Sequence, residues 1–559
     1  MDVLGEIITP IPANGPYYNL GGYHRAINTN SPDAQIWFNR GLIWTYAFHH
    51  EEAVQCFKQA LAHDPKCLMA YWGVAYAVGP NYNKGWDSFD DEDKNKSLEM
   101  VYKAENACKP LRANAIYPDF HFHDAIFLRY PRQDGKSRGG TYLDKMAHAY
   151  KYCVDDVDVA ALYADALMNE NPWDLWDIDT GQPAEGAKTL EIKDILEKAF
   201  KLPGGAYHPG LLHLYIHLME MSPTPESALN AADNLRNLVP DGGHLQHMPT
   251  HIDILCGDYR RAISSNQDAI SADNKYFANN RSPIFYTLYR CHNLHFKTYA
   301  AMLCGRFSTA LLTAASLESV LSEELLRVRS PPMADWLEGF WSIRVHVLVR
   351  FGRWDDILAL EVPADRELFC MTTAMIHYGK GIAYASKGKV NEAILDLHRF
   401  EAASKAVPTS RTLFNNTCQD ILKIAKAMLQ GEIKYRRGLY EEAFKLLEDA
   451  IDVERNLPYD EPWGWMQPVR HAYGALLLEQ GRVQAAEKVY REDLGFSDTL
   501  PRALRHPNNV WALQGYYECL RKLGKTAEVS IIQPQLKLAL AVADVPVNSS
   551  CFCRRNGDG

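Results

Sequence analysis

Between Trp37 and Pro65, small and large residues are spaced in a way that suits two antiparallel helices and little else. Gly41 and Ala53 are small, where two helices must approach closely. Trp37, Trp44 and Phe57 are large and fill the space between them, and Ala60 keeps the second helix slim. Pro65 lacks the N–H that a further helical turn needs, so it ends the second helix. The spacing recurs. Small residues at Ala228, Ala262, Ala310, Ala393, Ala443, Ala486 and Ala527 can anchor further hairpins, the first two 34 residues apart. Gly381, Gly431, Gly474 and Gly515 each precede their anchor by 12 residues, as Gly41 precedes Ala53. Ala310 follows Gly-Arg-Phe-Ser-Thr, and the Gly-Arg-Trp-Asp-Asp stretch around Trp354 suggests one degenerate hairpin more.

Composition narrows what such a chain can do. At 559 residues it can bury one large core or several, and 47% hydrophobic with 23% charged residues is ordinary for a globular protein. A net charge of −10 argues against a broad nucleic-acid surface, which needs clustered Lys and Arg. No apolar run reaches 18 residues, and the N-terminus has no basic segment followed by an apolar one. No membrane contact and a cytoplasmic address are therefore expected, with the 12 cysteines reduced. No phosphate-binding glycine loop, dinucleotide fingerprint or Gly-x-Ser-x-Gly is present.

Trp37, Gly41, Trp44, Ala53, Phe57, Ala60 and Pro65 fall at positions 4, 8, 11, 20, 24, 27 and 32 of the tetratricopeptide repeat (TPR), whose period is 34 residues. The chain resembles a TPR protein. Longer phrases, such as HPGLLHLYIHLME, PWDLW and PYDEPWGWMQPVRH, are similar to a histidine-rich group of these proteins in bacteria and fungi, mostly labelled by fold alone. The resemblance implies an all-α fold: a TPR-like helical solenoid, an α-α superhelix curved or closed around a central groove. Residues 1–33 read as an irregular N-terminal arm and 34–545 as a single solenoid. Loop insertions are expected near 79–99, 169–186 and 457–468, and a flexible tail over 546–559.

Histidines dominate one stretch. His208, His213, His217, His244, His247 and His251 lie within 44 residues, together with Glu220. On a helix His213, His217 and Glu220 share a face, and so do His244, His247 and His251. His213 to His247 and His217 to His251 are both 34 residues, one repeat. In repeat numbering these histidines take positions 2, 5 and 9 of first helices, which in the TPR family line the concave groove. His292 and His295 take positions 2 and 5 of the next repeat, and His471 a position 5 far along the chain. Imidazoles from adjacent helices, about 8–10 Å apart, can meet at one ion.

His213, His217, His247 and His251 are the expected metal ligands. Glu220, His244 and His295 are expected as further ligands or acid–base groups. An imidazole-rich set suits copper, iron or zinc and disfavours magnesium or calcium. Two arrangements stay open. His213, His217 and Glu220 would make a two-histidine, one-carboxylate iron site, whereas an all-histidine set including His295 suits copper or zinc. Tyr215, Asp253 and Tyr299 are candidates for orienting the rings. Loops bearing Trp86, Trp173, Trp176, Trp463 and Trp465 would wall off a small substrate. The preferred expectation is a metal-dependent oxidoreductase acting on a small organic molecule of secondary metabolism, with metal-assisted hydrolysis as a variant. The rival is a non-catalytic scaffold binding a peptide or protein. A third reading is metal storage or delivery involving Cys551 and Cys553.

Overall fold

The computed structural model describes residues 2–280 and 285–555, and they are predominantly α-helical, as the hairpin pattern predicts. They divide into two compact units, where the sequence reads as a single solenoid with loop insertions. The first comprises residues 2–252 and 267–290, the second 253–266 and 291–555, within the described residues.

The first unit contains α1 (Pro32–Tyr46), α2 (His50–His63), α3 (Leu68–Ala77), α4 (Asp91–Cys108), α5 (Asp119–Ile126), α6 (Tyr142–Tyr152) and α7 (Val157–Met168). It continues with α8 (Thr189–Ala199), α9 (Pro209–Glu220), α10 (Leu229–Leu235), α11 (Gly243–His247) and the start of α12 (Pro249–Leu255). The first hairpin forms as its residues require. The Ser31 hydroxyl caps α1 by accepting from the Ala34 N–H, and Pro32 opens the helix. Glu51 and Glu52 lie in the first turn of α2, at the positive end of its dipole. Phe57 of α2 lies between two glycines: a methyl group at Gly41 of α1 would come within 2.6 Å of its ring, and one at Gly73 of α3 within 2.5 Å. Glycine is needed there for close approach.

The N-terminal arm begins with a two-residue antiparallel ladder, Asp2–Val3 with Glu6–Ile7, and is pinned to the helices beyond it. Trp37 Nε1 donates to the Ile11 carbonyl, the Tyr23 hydroxyl to Asp158, and Arg25 pairs with Asp156 and Asp158. The expected insertion at 79–99 is a loop only in its first half. Asp90 caps α4 by accepting from the Asp93 N–H, so the acidic cluster Asp91–Glu92–Asp93 is a first helical turn. The stretch 169–186 is non-helical and holds a two-residue antiparallel ladder pairing Trp176 with Pro183 and Asp177 with Gln182.

In the second unit four hairpins follow one another: Cys370–Ser386 with Val390–Ala406, Cys418–Arg436 with Tyr440–Arg455, Val469–Glu479 with Val483–Asp493, and Val510–Lys522 with Thr526–Val542. Each turn carries a glycine with positive φ, namely Gly388, Gly438, Gly481 and Gly524. Tyr490 repeats the role of Phe57: methyl groups at Gly474 and Gly515 would lie 2.5 and 2.3 Å from its ring. The anchors Ala393, Ala443 and Ala486 are fully buried. Ala527 is exposed. The degenerate repeat is a shortened pair, Ile343–Arg350 and Trp354–Leu358. Residues 457–468 form no regular element.

The C-terminal stretch corrects two expectations. Residues 546–555 pack against the second unit, and 556–559 lie outside the described residues. The buried Ser550 hydroxyl donates to the His471 carbonyl and bonds the Tyr490 hydroxyl. Arg350 donates to the Ser550 carbonyl, and Arg554 pairs with Glu518. Polar groups that look like a solvated tail in sequence instead satisfy buried partners. Cys551 and Cys553 are joined by a disulfide, so these two thiols are not free. Among the described residues, no helix is long and apolar enough to cross a membrane.

Candidate metal site

Every residue of α9 is buried. A helix with no polar face is stable only inside a protein, and it carries His213, His217 and Glu220 inward with it. His208 caps this helix: its Nδ1 accepts from the Leu211 N–H at 3.1 Å, and its Nε2 faces Asp158 Oδ1 at 3.1 Å. With both nitrogens engaged, His208 is a capping residue.

His213 Nδ1 lies 2.6 Å from the Tyr46 carbonyl at the end of α1. A carbonyl only accepts, so Nδ1 carries the proton and Nε2 keeps its lone pair. Glu220 does the same for two rings. Its Oε1 is 2.9 Å from His217 Nδ1 and its Oε2 is 2.7 Å from His251 Nδ1. Both imidazoles therefore direct Nε2 away from the carboxylate. The Nε2 atoms of His213 and His217 are buried with no hydrogen-bond partner. His251 Nε2 lies 2.7 Å from His247 Nε2. Because His251 donates from Nδ1, its Nε2 accepts, and His247 is the donor. The Thr250 hydroxyl stands 3.4 Å from His247 Nδ1.

The second histidine set sits on α11 and α12, a helical path interrupted at Met248, just before Pro249. Met248 keeps helical angles, φ −50° and ψ −39°, so the three- and four-residue spacing still puts His244, His247 and His251 on one side. His217 and His251 meet as the 34-residue repeat spacing requires, whereas His213 lies beside His244. The rings of His213 and His244 are 4.9 Å apart, and those of His217 and His251 5.7 Å. Two groups have ligand atoms within 4.8 Å of one another: His213 with His217 and His244, and His217 with Glu220 and His251. Both can hold a metal ion. In the first, His213 and His217 offer unengaged lone pairs; in the second, the carboxylate oxygens already accept from the two rings.

Burial sets the charge. Desolvation holds the His213 imidazole down at about 3 despite the Tyr46 carbonyl, which works the other way. It pushes His217 well below its ordinary value, with His213, His251 and His247 adding to the effect. Both rings are neutral at pH 7, the form that binds a metal. An unmade hydrogen bond on a buried polar group costs about 1–3 kcal/mol, and two such atoms belong to rings that have a ligand atom within 4.8 Å of one another.

Aromatic rings enclose the spot. Phe48, with φ +54° in the turn between α1 and α2, lies 4.4 Å from His213, 6.1 Å from His217 and 5.7 Å from His244. Tyr82 and Trp173 face His217 at 5.0 and 5.8 Å, and Tyr289 faces His244 at 4.5 Å. Trp176 is anchored nearby through Nε1 to the Leu218 carbonyl.

The expected residues thus divide. His213, His217, Glu220, His244, His247 and His251 come together. His295 belongs to the second unit, where it packs on Phe340 and Phe414. His471 is held in that unit between Arg350 and Asp493 through both ring nitrogens, leaving no lone pair for an ion. Trp463 and Trp465 also belong there, and Trp86 packs on Phe89 and Tyr130. Tyr215 orients no imidazole, since its hydroxyl goes to Glu197. Asp253 and Tyr299 fall in the second unit. The groups that do orient the rings are the Tyr46 carbonyl and Glu220. Sequence reading missed Tyr46, Phe48, Tyr82 and Tyr289; the only local signal was Phe48-His49-His50 at the hairpin turn.

Among known proteins, the model of the tetratricopeptide repeat matches residues 34–67. No curated protein matches the chain. A structure of the APC/C hetero-tetramer Cut9-Hcn1 is 14% identical, with TM-score 0.30 over 86% of this chain and 77% of the other. The human IFIT1 dimer with m7Gppp-AAAA is 11% identical, with TM-score 0.31 over 93% and 92%. Yeast Tom70 is 10% identical, with TM-score 0.24 over 90% and 92%.

Proposed function

We propose that the first unit is a transition-metal enzyme, in which His213, His217 and His244 hold one ion of copper, zinc or iron through their ring nitrogens. The observation that carries this reading is the pair of buried, partnerless Nε2 atoms on His213 and His217, each aimed by a fixed hydrogen bond on the opposite side of its ring. Three imidazoles leave a coordination position open, the arrangement of catalytic rather than structural sites. Glu220 is assigned to orientation and charge balance behind the ligands, which favours the all-histidine arrangement over the iron-type set with a carboxylate. A bound ion would supply Lewis acidity or one-electron chemistry. The chain's own residues do the rest: Glu220 fixes two tautomers, and Phe48, Tyr82, Trp173 and Tyr289 exclude water. The substrate is a small, largely apolar organic molecule, and the reaction class we favour is oxidation, with hydrolysis as the variant.

Elemental analysis of the purified protein after loading with Cu(II), Zn(II) or Fe(II) tests the site. One equivalent is expected in the wild type and none in His213→Ala or His217→Ala. Oxygen consumption with a panel of small phenols and amines then tests the chemistry. A protein that stays metal-free under saturating loading removes the enzyme reading. The second reading, a scaffold for a peptide or protein, is favoured by the TPR hairpins themselves, since stacked repeats present extended binding surfaces.

A further inference from the structure

Tyrosines continue from the histidine site toward the N-terminal arm, and their hydroxyls are not arranged as packing alone would require. The Tyr286 hydroxyl accepts from the His244 backbone N–H at 3.1 Å and donates to Asp273 at 3.0 Å. Tyr276 lies 6.3 Å from Tyr286, centroid to centroid, and His49 fills the gap, stacked on Tyr286 at 3.7 Å and edge-on to Tyr276 at 4.3 Å. The Tyr276 hydroxyl donates to Glu52 Oε2 at 3.2 Å. Tyr18, partly exposed on the arm, is 5.7 Å from Tyr276. Tyr17 lies 5.1 Å from Tyr18 and donates to the other oxygen of Glu52 at 2.7 Å. Buried phenols need a partner, but a neutral carbonyl would serve. Three of these four have a carboxylate.

That pairing has a redox meaning. A tyrosine gives up an electron at accessible potential only when its proton can leave at the same time, and a hydrogen-bonded carboxylate is the acceptor. Resting on the metal-enzyme reading above, we propose that Tyr286, Tyr276 and Tyr18 form a one-electron relay between the histidine site and the protein surface. When a one-electron oxidant forms at the site from hydrogen peroxide or dioxygen, Tyr286 supplies the electron and its proton passes to Asp273. Tyr276 then reduces the Tyr286 radical, which recovers its proton from Asp273, while the Tyr276 proton passes to Glu52. Tyr18 reduces Tyr276 in turn, Tyr276 recovers its proton from Glu52, and the partly exposed Tyr18 releases its own proton to solvent; ascorbate then restores Tyr18 by giving it a hydrogen atom. The net change is one electron from ascorbate to the oxidant, with each carboxylate returned to its starting state. The relay discharges the site when substrate is missing.

The test needs no bound metal, so it stands apart from the metal reading. Tris(bipyridine)ruthenium(II), light and persulfate oxidise surface tyrosines, and the complex is too bulky to reach Tyr276 or Tyr286, which are 5% and 1% exposed. The full-length protein is irradiated, digested, and oxidation at each tyrosine is read by mass spectrometry. Tyr378, equally buried at 1% exposure, is the internal reference. The expected result is oxidation at Tyr276 and Tyr286 above that at Tyr378, lost in the double variant Tyr17→Phe/Tyr18→Phe. Labelling no higher than at Tyr378, or labelling retained in the double variant, overturns the relay. Metal content measured on the same preparation decides the earlier reading separately: a metal-free protein with the labelling keeps the relay, and a metal-bound protein without it keeps the site alone.

Discussion

Replacing Glu220 by glutamine changes one atom and separates the roles open to this side chain. As a carboxylate it accepts from His217 Nδ1 at 2.9 Å and from His251 Nδ1 at 2.7 Å. The amide of Glu220→Gln has one accepting oxygen and one donating nitrogen, so it can satisfy only one ring. The other ring meets an N–H with an N–H, and must turn or move its proton to Nε2. If that ring is His217, the proton lands on the atom proposed to bind the ion. Loss of such an orienting partner weakens metal binding by roughly 10- to 100-fold, which is about 1.4–2.8 kcal/mol. Because Glu220 serves two rings, the upper end is expected. Competition with a chelator of known affinity, followed by absorbance, measures the change. Unaltered affinity in Glu220→Gln, alongside abolished binding in His217→Ala, would refute the orienting role. A loss as complete as that of His217→Ala would make Glu220 a ligand.

Acidification gives another test. Burial holds His213, His295 and His346 near 3, against 6.5 for the free side chain. Between those values the unfolded chain takes up protons that the folded chain refuses, so stability present above pH 6.5 is lost as pH falls toward 3. The urea midpoint of the metal-free protein should drop steadily from pH 7 to pH 4, and a flat profile would contradict the neutral, buried rings. Gly73→Ala places a methyl group 2.5 Å from the Phe57 ring and should cost about 1–3 kcal/mol in thermal denaturation, while Gly85→Ala, with open space around it, should cost far less. Phe48 has φ +54°, so Phe48→Gly should be the milder change relative to Phe48→Ala by about 1 kcal/mol, and both should weaken metal binding; the reverse order would mean the turn rearranges. Removing residues 546–559 should raise hydrogen exchange at the helices bearing Arg350 and Tyr490, which the segment covers through Ser550.

The helical hairpins could be read because each rests on short-range spacing. A glycine 12 residues before an alanine, with an aromatic four residues later, says where two helices touch regardless of what surrounds them. His213, His217 and Glu220 were legible for the same reason, since one helix fixes their phase. The role of Glu220 was not. Ligand and orienting partner look alike in sequence, and only the two short contacts to His217 and His251 separate them. The aromatic enclosure was half legible. Trp173 stood out as a large residue in a non-helical stretch, whereas Phe48 and Tyr82 come from turns with no pattern of their own. Trp463 and Trp465 misled because tryptophan in a proline-rich loop marks burial without saying where. The C-terminal stretch misled in the opposite way: serine, cysteine and arginine suggest solvent, but Ser550 and Arg554 find fixed partners.

The hydrogen bond from His213 to the Tyr46 carbonyl spans 167 residues of chain and depends on no side chain at position 46. Every amino acid brings the same peptide oxygen, so point substitution there leaves the acceptor in place. Glu220 has no such immunity, because its acceptors belong to the side chain and a single codon change removes them. Two neighbouring imidazoles therefore carry unequal genetic risk. Drift in this gene should erode the His217 and His251 orientation long before that of His213, which only a deletion or a displaced first hairpin can disturb.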